Sequence, residues 1–351
     1  MNELLQRAMG DADAQYEIGL FHYNEGEFAD AIKWWVRAGE QNHAESCYNL
    51  SRCYFGGQGV TQDKNIAFSW LNKAADFGSY DAQNLLGDAY SVGDFVAQNY
   101  EKAFELYKKA AAGGDMNCLN SLANCYYNGL GTDKDYDEAF NYYSKAAADN
   151  HIDAQFYLGE CHYKGFGTVE NEEVAFFWYK QAADGGHAHA QNTVGLYYLN
   201  GINIEKDHEQ AISYLTKSAK QGFAEAQNNL GVCFIQGNGT EQDYERGIEW
   251  LMRATHQDDE AAQSNLAYCY HNGYGVELSY EEAFRLYSLS AKKQYATSER
   301  ALGDYYREGY INDIDYITAM YWYVLAAQHG DDKAITLIET ALTQHEEWYI
   351  D

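Results

Sequence analysis

Residues 226–254 read AQNNLGVCFIQGNGTEQDYERGIEWLMRA, and the spacing inside this stretch decides the fold. Ala226 and Leu230 stand four apart, one turn of a helix and on one face of it. Gly237 falls where that helix must end, in the left-handed conformation that a Cβ would penalise. Asp243 is a good N-cap type and marks the start of a second helix. Glu245 lies in that helix's first turn, where the dipole favours an anion. Gly247 is a second small position that lets two helix backbones approach.

The same pattern returns every 36 residues. Small residues recur at Ser46, Ala82, Cys118, Ala154, Ala190, Ala226, Ala262, Ser298 and Ala334, and four later come Leu50, Leu86, Leu122, Leu158, Val194, Leu230, Leu266, Leu302 and Ile338. A second small position runs from Ala31 and Ala67 to Ala283 and Ala319. Glycines from Gly57 to Gly309 punctuate the first helices, and Asp63, Asn99, Asp135, Asn171, Asp207, Asp243, Ser279 and Asp315 start the second ones. A constant register of this kind predicts an all-α solenoid of about nine helix-turn-helix repeats over residues 11–330. The first repeat is short, with 17 residues from Ala14 to Ala31 against 21 from Ser46 to Ala67, so residues 1–10 and this repeat read as an N-terminal cap. Residues 331–351 carry Ala334, Ile335, Ile338 and Leu342 at amphipathic spacing and read as a capping helix and tail.

Composition agrees. The 351 residues would ordinarily imply two or three domains, but an unbroken register implies one continuous solenoid. There is no proline, while glycine numbers 31 and tyrosine 33, which suits helices joined by glycine turns. No apolar run is long enough to span a bilayer, so no membrane insertion is expected. Asp plus Glu total 53 against 24 Lys plus Arg, a net charge of −29, which repels phosphate backbones and excludes nucleic acid as a direct partner. Eleven of the acids, five caps and six first-turn residues such as Glu101 and Glu281, already have a structural reason. The first residues show no basic and apolar leader, so a cytoplasmic chain is expected. The seven cysteines lack CxxC spacing, and Cys118 and Cys125 lie too far apart along one helix to bridge, so reduced thiols are expected.

GVTQDK at 59–64, AQNNLG at 226–231 and WYKQAADGG at 178–186 resemble the Sel-1-like repeat, the 36-residue relative of the tetratricopeptide repeat. The resemblance covers about residues 11–330. It implies a right-handed superhelix whose first helices line a concave groove, used as an adaptor for other proteins or peptides, with no catalytic chemistry. The chain departs from the family's Gly-x-Gly turn at Phe95, Asn203 and Ile311, so the turns of the third, sixth and ninth repeats are expected to be distorted or specialised. Some members carry a disulfide in each repeat. Here Cys53, Cys125, Cys161, Cys233 and Cys269 share one position that is Ala89, Tyr197 or Tyr305 elsewhere, which reads as packing.

Nothing local points to chemistry. His187 and His189, or Cys161 and His162, do not share a helix face, and no HExxH, GxSxG or P-loop pattern occurs, so neither enzyme activity nor a cofactor is expected. With the recurring Leu taken as an inward anchor, helical geometry and the groove that the resemblance implies place the expected binding residues two before, two after and five after it. Two before it stand Tyr48, Asn84, Asn120, Phe156, Asn192, Asn228, Ser264 and Arg300. A row of Asn amides can bind successive peptide units of an extended chain, or can bond between adjacent helices. Asp88, Asn124, Glu160 and Tyr268 follow two after it, and Phe55, Tyr127, Tyr163 and His271 five after it. Nine first helices at ~8–10 Å spacing offer a groove on the order of 80 Å. The expected function is a non-catalytic scaffold that holds a partner segment of basic and apolar character; the alternative is an inhibitor, such as an immunity protein or antitoxin, masking a basic toxin or enzyme. A monomer is the expected state.

Overall fold

The computed structural model describes residues 8–343. The chain divides into two compact units on either side of Ala175 and Phe176. The first unit contains α1 (Ala12–Asn24), α2 (Phe28–Glu40), α3 (Ala44–Gly56), α4 (Lys64–Asp76), α5 (Tyr80–Val92), α6 (Tyr100–Ala110), α7 (Met116–Asn128), α8 (Tyr136–Ala148) and α9 (Ile152–Lys164). The unit boundary falls inside α10 (Glu172–Asp184). The second unit contains α11 (Ala188–Asn200), α12 (His208–Lys220), α13 (Ala224–Gln236), α14 (Tyr244–His256), α15 (Glu260–Asn272), α16 (Tyr280–Ala291), α17 (Ala296–Glu308), α18 (Tyr316–Gln328) and α19 (Asp332–Thr343). No strand occurs among the described residues. The all-α solenoid of paired helices is therefore observed. The expected terminal segments are described only in part: Ala8 is buried and accepts a bond from Gln15, α19 forms, and residues 1–7 and 344–351 lie outside the described residues.

One loop recurs within both units. From the second repeat on, the glycine after the first helix adopts positive φ, 67° at Gly57 and 72° at Gly237, where its main-chain N–H donates to the carbonyl of Cys53 or Cys233. The N-cap of the second helix then turns back: Asp63 N–H donates to Tyr54 O at 3.1 Å and Asp243 N–H to Phe234 O at 2.9 Å. The Asp63 carboxylate accepts from the N–H groups of Asn65 and Ile66, both at 3.0 Å. Each residue type in the loop thus serves a backbone group that a helix end leaves unpaired.

The second glycine of the loop meets a different constraint. At Gly131, φ is 73° and a Cβ would come within 2.1 Å of the Tyr100 carbonyl, the start of the preceding second helix. Phe95 and Asn203 nonetheless keep positive φ, 63° and 53°, so the third and sixth turns are not distorted. Only Ile311 leaves the left-handed region, and there the turn differs from its counterparts. Asn tolerates this conformation through local bonding, whereas a phenylalanine held in it is strained by about 1–2 kcal/mol.

Packing follows the small and large positions. Ala226, Leu230, Cys233 and Leu215 are buried in one cluster, and Cys47, Leu71, Ala82 and Leu86 in another. At Gly231 an added Cβ would lie 2.9 Å from the Leu251 side chain and 3.0 Å from the Gly247 carbonyl, so α13 and α14 cross with no room for one more carbon. Consecutive repeats are also tied by glutamines. Gln83, Gln191 and Gln227 donate from Nε2 to the carbonyls of Ala75, Ala183 and Ala219, and accept on Oε1 from Gln221 and Gln257 at the latter two. In the ninth repeat this pair becomes Glu299 and His329, whose Nδ1 lies 2.8 Å from the buried carboxylate.

All seven cysteines are buried and free. Burial pushes the Cys125, Cys161 and Cys269 thiols up to about 12. At about pH 8 an alkylating reagent should therefore leave the native chain unmodified and label every cysteine after denaturation, because the reacting species is the thiolate; fast labelling of the native chain would contradict this packing. At Ala226, which is fully buried, substitution by Leu should overpack the crossing and cost about 1–3 kcal/mol, read as a lower thermal midpoint.

Candidate functional site

Within the first unit, helices of successive repeats create two adjoining cavities. One encloses about 520 Å³ between α3, α4 and α5, with Phe55, Phe68, Leu71, Leu85, Val92 and Phe95 on its walls. The other encloses about 410 Å³ over α5, α7 and α9, and Asp81, Asp88, Asp115 and Asp153 face it with no Lys or Arg among its described lining residues. Tyr48, Leu85 and Asp88 line both, so an apolar compartment opens directly onto an acidic one.

Each compartment has a local origin. Phe95 is 48% exposed because its turn sits in the left-handed region, which directs the ring to within 5.8 Å of Phe55 and under the Lys64 ammonium at 4.8 Å. Asp115 caps α7 by accepting from the N–H groups of Asn117 and Cys118, while Asp81 and Asp153 lie in the first turns of α5 and α9. Asp88 accepts from Tyr107 Oη at 2.7 Å; burial raises its carboxyl above the ordinary range, and that hydrogen bond offsets only part of the rise. Burial, and next the Asp81 charge, raise the Tyr48 phenol.

The structure separates the expected binding residues into three groups. Tyr48, Asn84, Asp88 and Asn120 come together around the two cavities, and the Oδ1 atoms of Asn84 and Asn120 have no hydrogen-bond partner among the described residues. Tyr127, Glu160 and Tyr163 lie on the same helices outside those cavities: Tyr127 is ringed by Tyr136, Tyr143, Tyr157 and Phe166, Glu160 pairs with Lys164 at 2.7 Å, and Tyr163 is exposed. Phe156, Asn192 and Asn228 are packed away. Phe156 is buried edge-on against Tyr157, and Asn192 is only 2% exposed. Asn192 and Asn228 accept from Asn229 and Asn265 of the next repeat at 3.0 and 2.8 Å. The Asn row is therefore a bond between adjacent helices at 192 and 228, whereas at 84 and 120 the Oδ1 atom is buried without a partner among the described residues.

Within the second unit, a separate cavity of about 550 Å³ gathers Ser264, Tyr268, His271 and Arg300 with Asp304 and Arg307. Asp304 is already engaged by Tyr323 Oη at 2.7 Å and by Arg307 at 3.3 Å. Burial lowers the His271 imidazole below its ordinary value, and its Nδ1 meets Tyr305 Oη at 2.9 Å.

Histidine has another use that the sequence reading missed. His43, His151 and His187 are N-caps of α3, α9 and α11, each accepting a main-chain N–H on Nδ1. Nε2 of His43 lies 3.2 Å from Asp13, and Nε2 of His151 lies 3.2 Å from Asn117 of the preceding repeat. The available signal was positional, since Ser79, Asp115 and Asp259 cap at the same repeat position.

Comparison with known proteins places this geometry. In structure the chain is similar to c5321, a protective antigen present in uropathogenic Escherichia coli strains and displaying an SLR fold, with 30% identity, a TM-score of 0.80, and coverage of 97% of this chain and 77% of that one. It is also similar to a Sel1 repeat protein from Oxalobacter formigenes, at 26% identity and a TM-score of 0.62, covering 87% of this chain and 89% of that one. No curated protein matches the chain in sequence. Nine consecutive segments, 12–43, 44–79, 81–115, 117–151, 152–187, 188–223, 224–259, 260–295 and 296–331, match the Sel1 repeat, and the chain belongs to the Sel1-repeat family.

Proposed function

We propose that the chain is a non-catalytic scaffold that holds an extended segment of a partner protein against the first helices of residues 44–164. Sel1 repeats generally form scaffolds for protein interaction rather than centres of chemistry. The observation that carries the finer reading is the junction of an apolar and an acidic compartment at Tyr48, Leu85 and Asp88. A segment with an apolar side chain near a Lys or Arg satisfies both at once. No helix among the described residues is long and apolar enough to cross a membrane.

Selection of random peptides displayed against the purified chain tests this. Enriched sequences should place Lys or Arg within a few residues of a large apolar residue; enrichment of acidic sequences, or none, overturns the reading. Asp81→Asn with Asp153→Asn should weaken a selected peptide about three- to tenfold and flatten its salt dependence, as expected for partly exposed ion pairs.

Phe95→Gly separates function from folding. Relief of about 1–2 kcal/mol of backbone strain offsets the lost contacts with Phe55 and Lys64, so the thermal midpoint should hold or rise. Peptide affinity should fall, because the ring is part of the apolar wall. An affinity that is unchanged would remove Phe95 from the site.

The second reading, an inhibitor that masks a basic enzyme, is favoured by the net charge of −29. It predicts an association rate with a basic folded domain that drops steeply between about 50 and 500 mM salt, while short selected peptides fail to compete.

A further inference from the structure

The outward faces of the second helices are mostly polar in the second unit, the exceptions being Met252 of α14 and Phe177 of α10, which is 52% exposed at the counterpart of Tyr321. Glu209, Ser213 and Thr216 lie on α12, Glu245, Glu249 and Met252 on α14, and Glu281, Arg285 and Ser288 on α16. Each triplet has spacing i, i+4, i+7, one stripe on one face. On α18 the same positions are Ile317, Tyr321 and Val324, which are 82%, 59% and 39% exposed. Helix α18 reads YITAMYWYVLAAQ and carries no charge. Its inner face is already spent: Ala319, Tyr323 and Ala326 are buried against Ala334. Apolar residues on both faces of a helix call for a cover on both.

We infer that this stripe is a self-association surface, covered by the same stripe of a second copy. The argument is one of charge and spacing. A basic partner drawn to a chain of net charge −29 gains nothing from a helix whose recurring first-turn acid has been replaced by Ile317. An occupant that is itself acidic gains from that replacement, because it removes like-charge repulsion at the contact. The stripe is also self-complementary. In an antiparallel two-fold arrangement centred on Tyr321, Ile317 of one copy meets Val324 of the other, and the two tyrosine rings meet at the axis over a length of ~10 Å. This revises the expected monomer to a weak, reversible dimer.

The salt dependence of such a contact is opposite to that of the acidic groove. Two copies of the chain repel each other at long range and meet through apolar side chains, so screening strengthens the pairing. Sedimentation velocity of the full chain from about 1 to 300 μM, at about 50 and 500 mM salt, reads this directly. The expected result is a monomer–dimer equilibrium that shifts to dimer at the higher salt. I317E combined with Y321R and V324S installs the eighth repeat's own residues and should weaken dimerisation more than tenfold, with helical circular dichroism and thermal midpoint retained. I317E alone, which restores the acid carried by the neighbouring repeats, should do so in part and serves if the triple variant misfolds. A monomer throughout, association that weakens with salt, or association that survives both variants overturns the inference. Binding of the wild-type chain to neutral phospholipid vesicles without any dimer would overturn it equally, by giving the stripe to a lipid surface.

Discussion

The left-handed glycine that closes the first helix of every repeat after the first is the constraint on which the rest depends. It reverses the chain within a few residues, which lets the N-cap N–H of the second helix return to a carbonyl of the first, as Asp63 does to Tyr54 and Asp243 to Phe234. With both helix ends tied to the same short loop, the two helices have one admissible crossing. That crossing is close enough to require Ala226, Gly231 and Gly247 at the contact. Burial of the anchor leucines then follows from geometry already fixed by backbone groups. The hydrophobic term supplies the stability, and the loop supplies the uniqueness.

Most of the fold was legible because this constraint uses residues that do little else. A glycine followed six residues later by Asp, Asn or Ser can be read without a partner, and the helices end where those residues stand. What resisted reading was the use of residues with several chemistries. The Asn at two before the anchor buries an unpartnered Oδ1 at positions 84 and 120 and is bonded to the next repeat at 192 and 228. The difference lies in the following residue. Asn229 and Asn265 supply the donor amide at the bonded positions, where Ser121 stands in the first unit. A histidine that caps a helix through Nδ1 was equally hidden, because imidazole suggests a metal or a base before it suggests an N-cap. The two cavities could not be read at all, since their walls come from three helices and a turn whose side chains meet only in space.

The acidic charge divides along the same line. Asp63, Asp115, Asp135, Asp243 and Asp315 accept main-chain N–H groups and would be present whatever the protein bound. Net charge therefore overstates the case for a basic partner. The informative carboxylates are those that converge on one cavity, and Asp81 and Asp153, in the first turns of α5 and α9, do so beside Asp88. Their arrangement is a local argument, independent of the total.

A repeat array also provides its own control. Every position has several counterparts in the same chain under the same packing, so a departure that adds no stability stands out against them. Phe95 is such a departure: the turn accepts glycine or asparagine without strain, yet here it holds an aromatic ring in the left-handed region, at the mouth of an apolar cavity. Ile317, Tyr321 and Val324 are another, since the outward stripe of a second helix is polar at the corresponding positions of α12 and α16 and gains nothing within the fold from being apolar. Both cost something to the isolated chain, strain in one case and exposed apolar surface in the other. Costs that most repeats avoid at these positions are best explained by contacts made outside the chain.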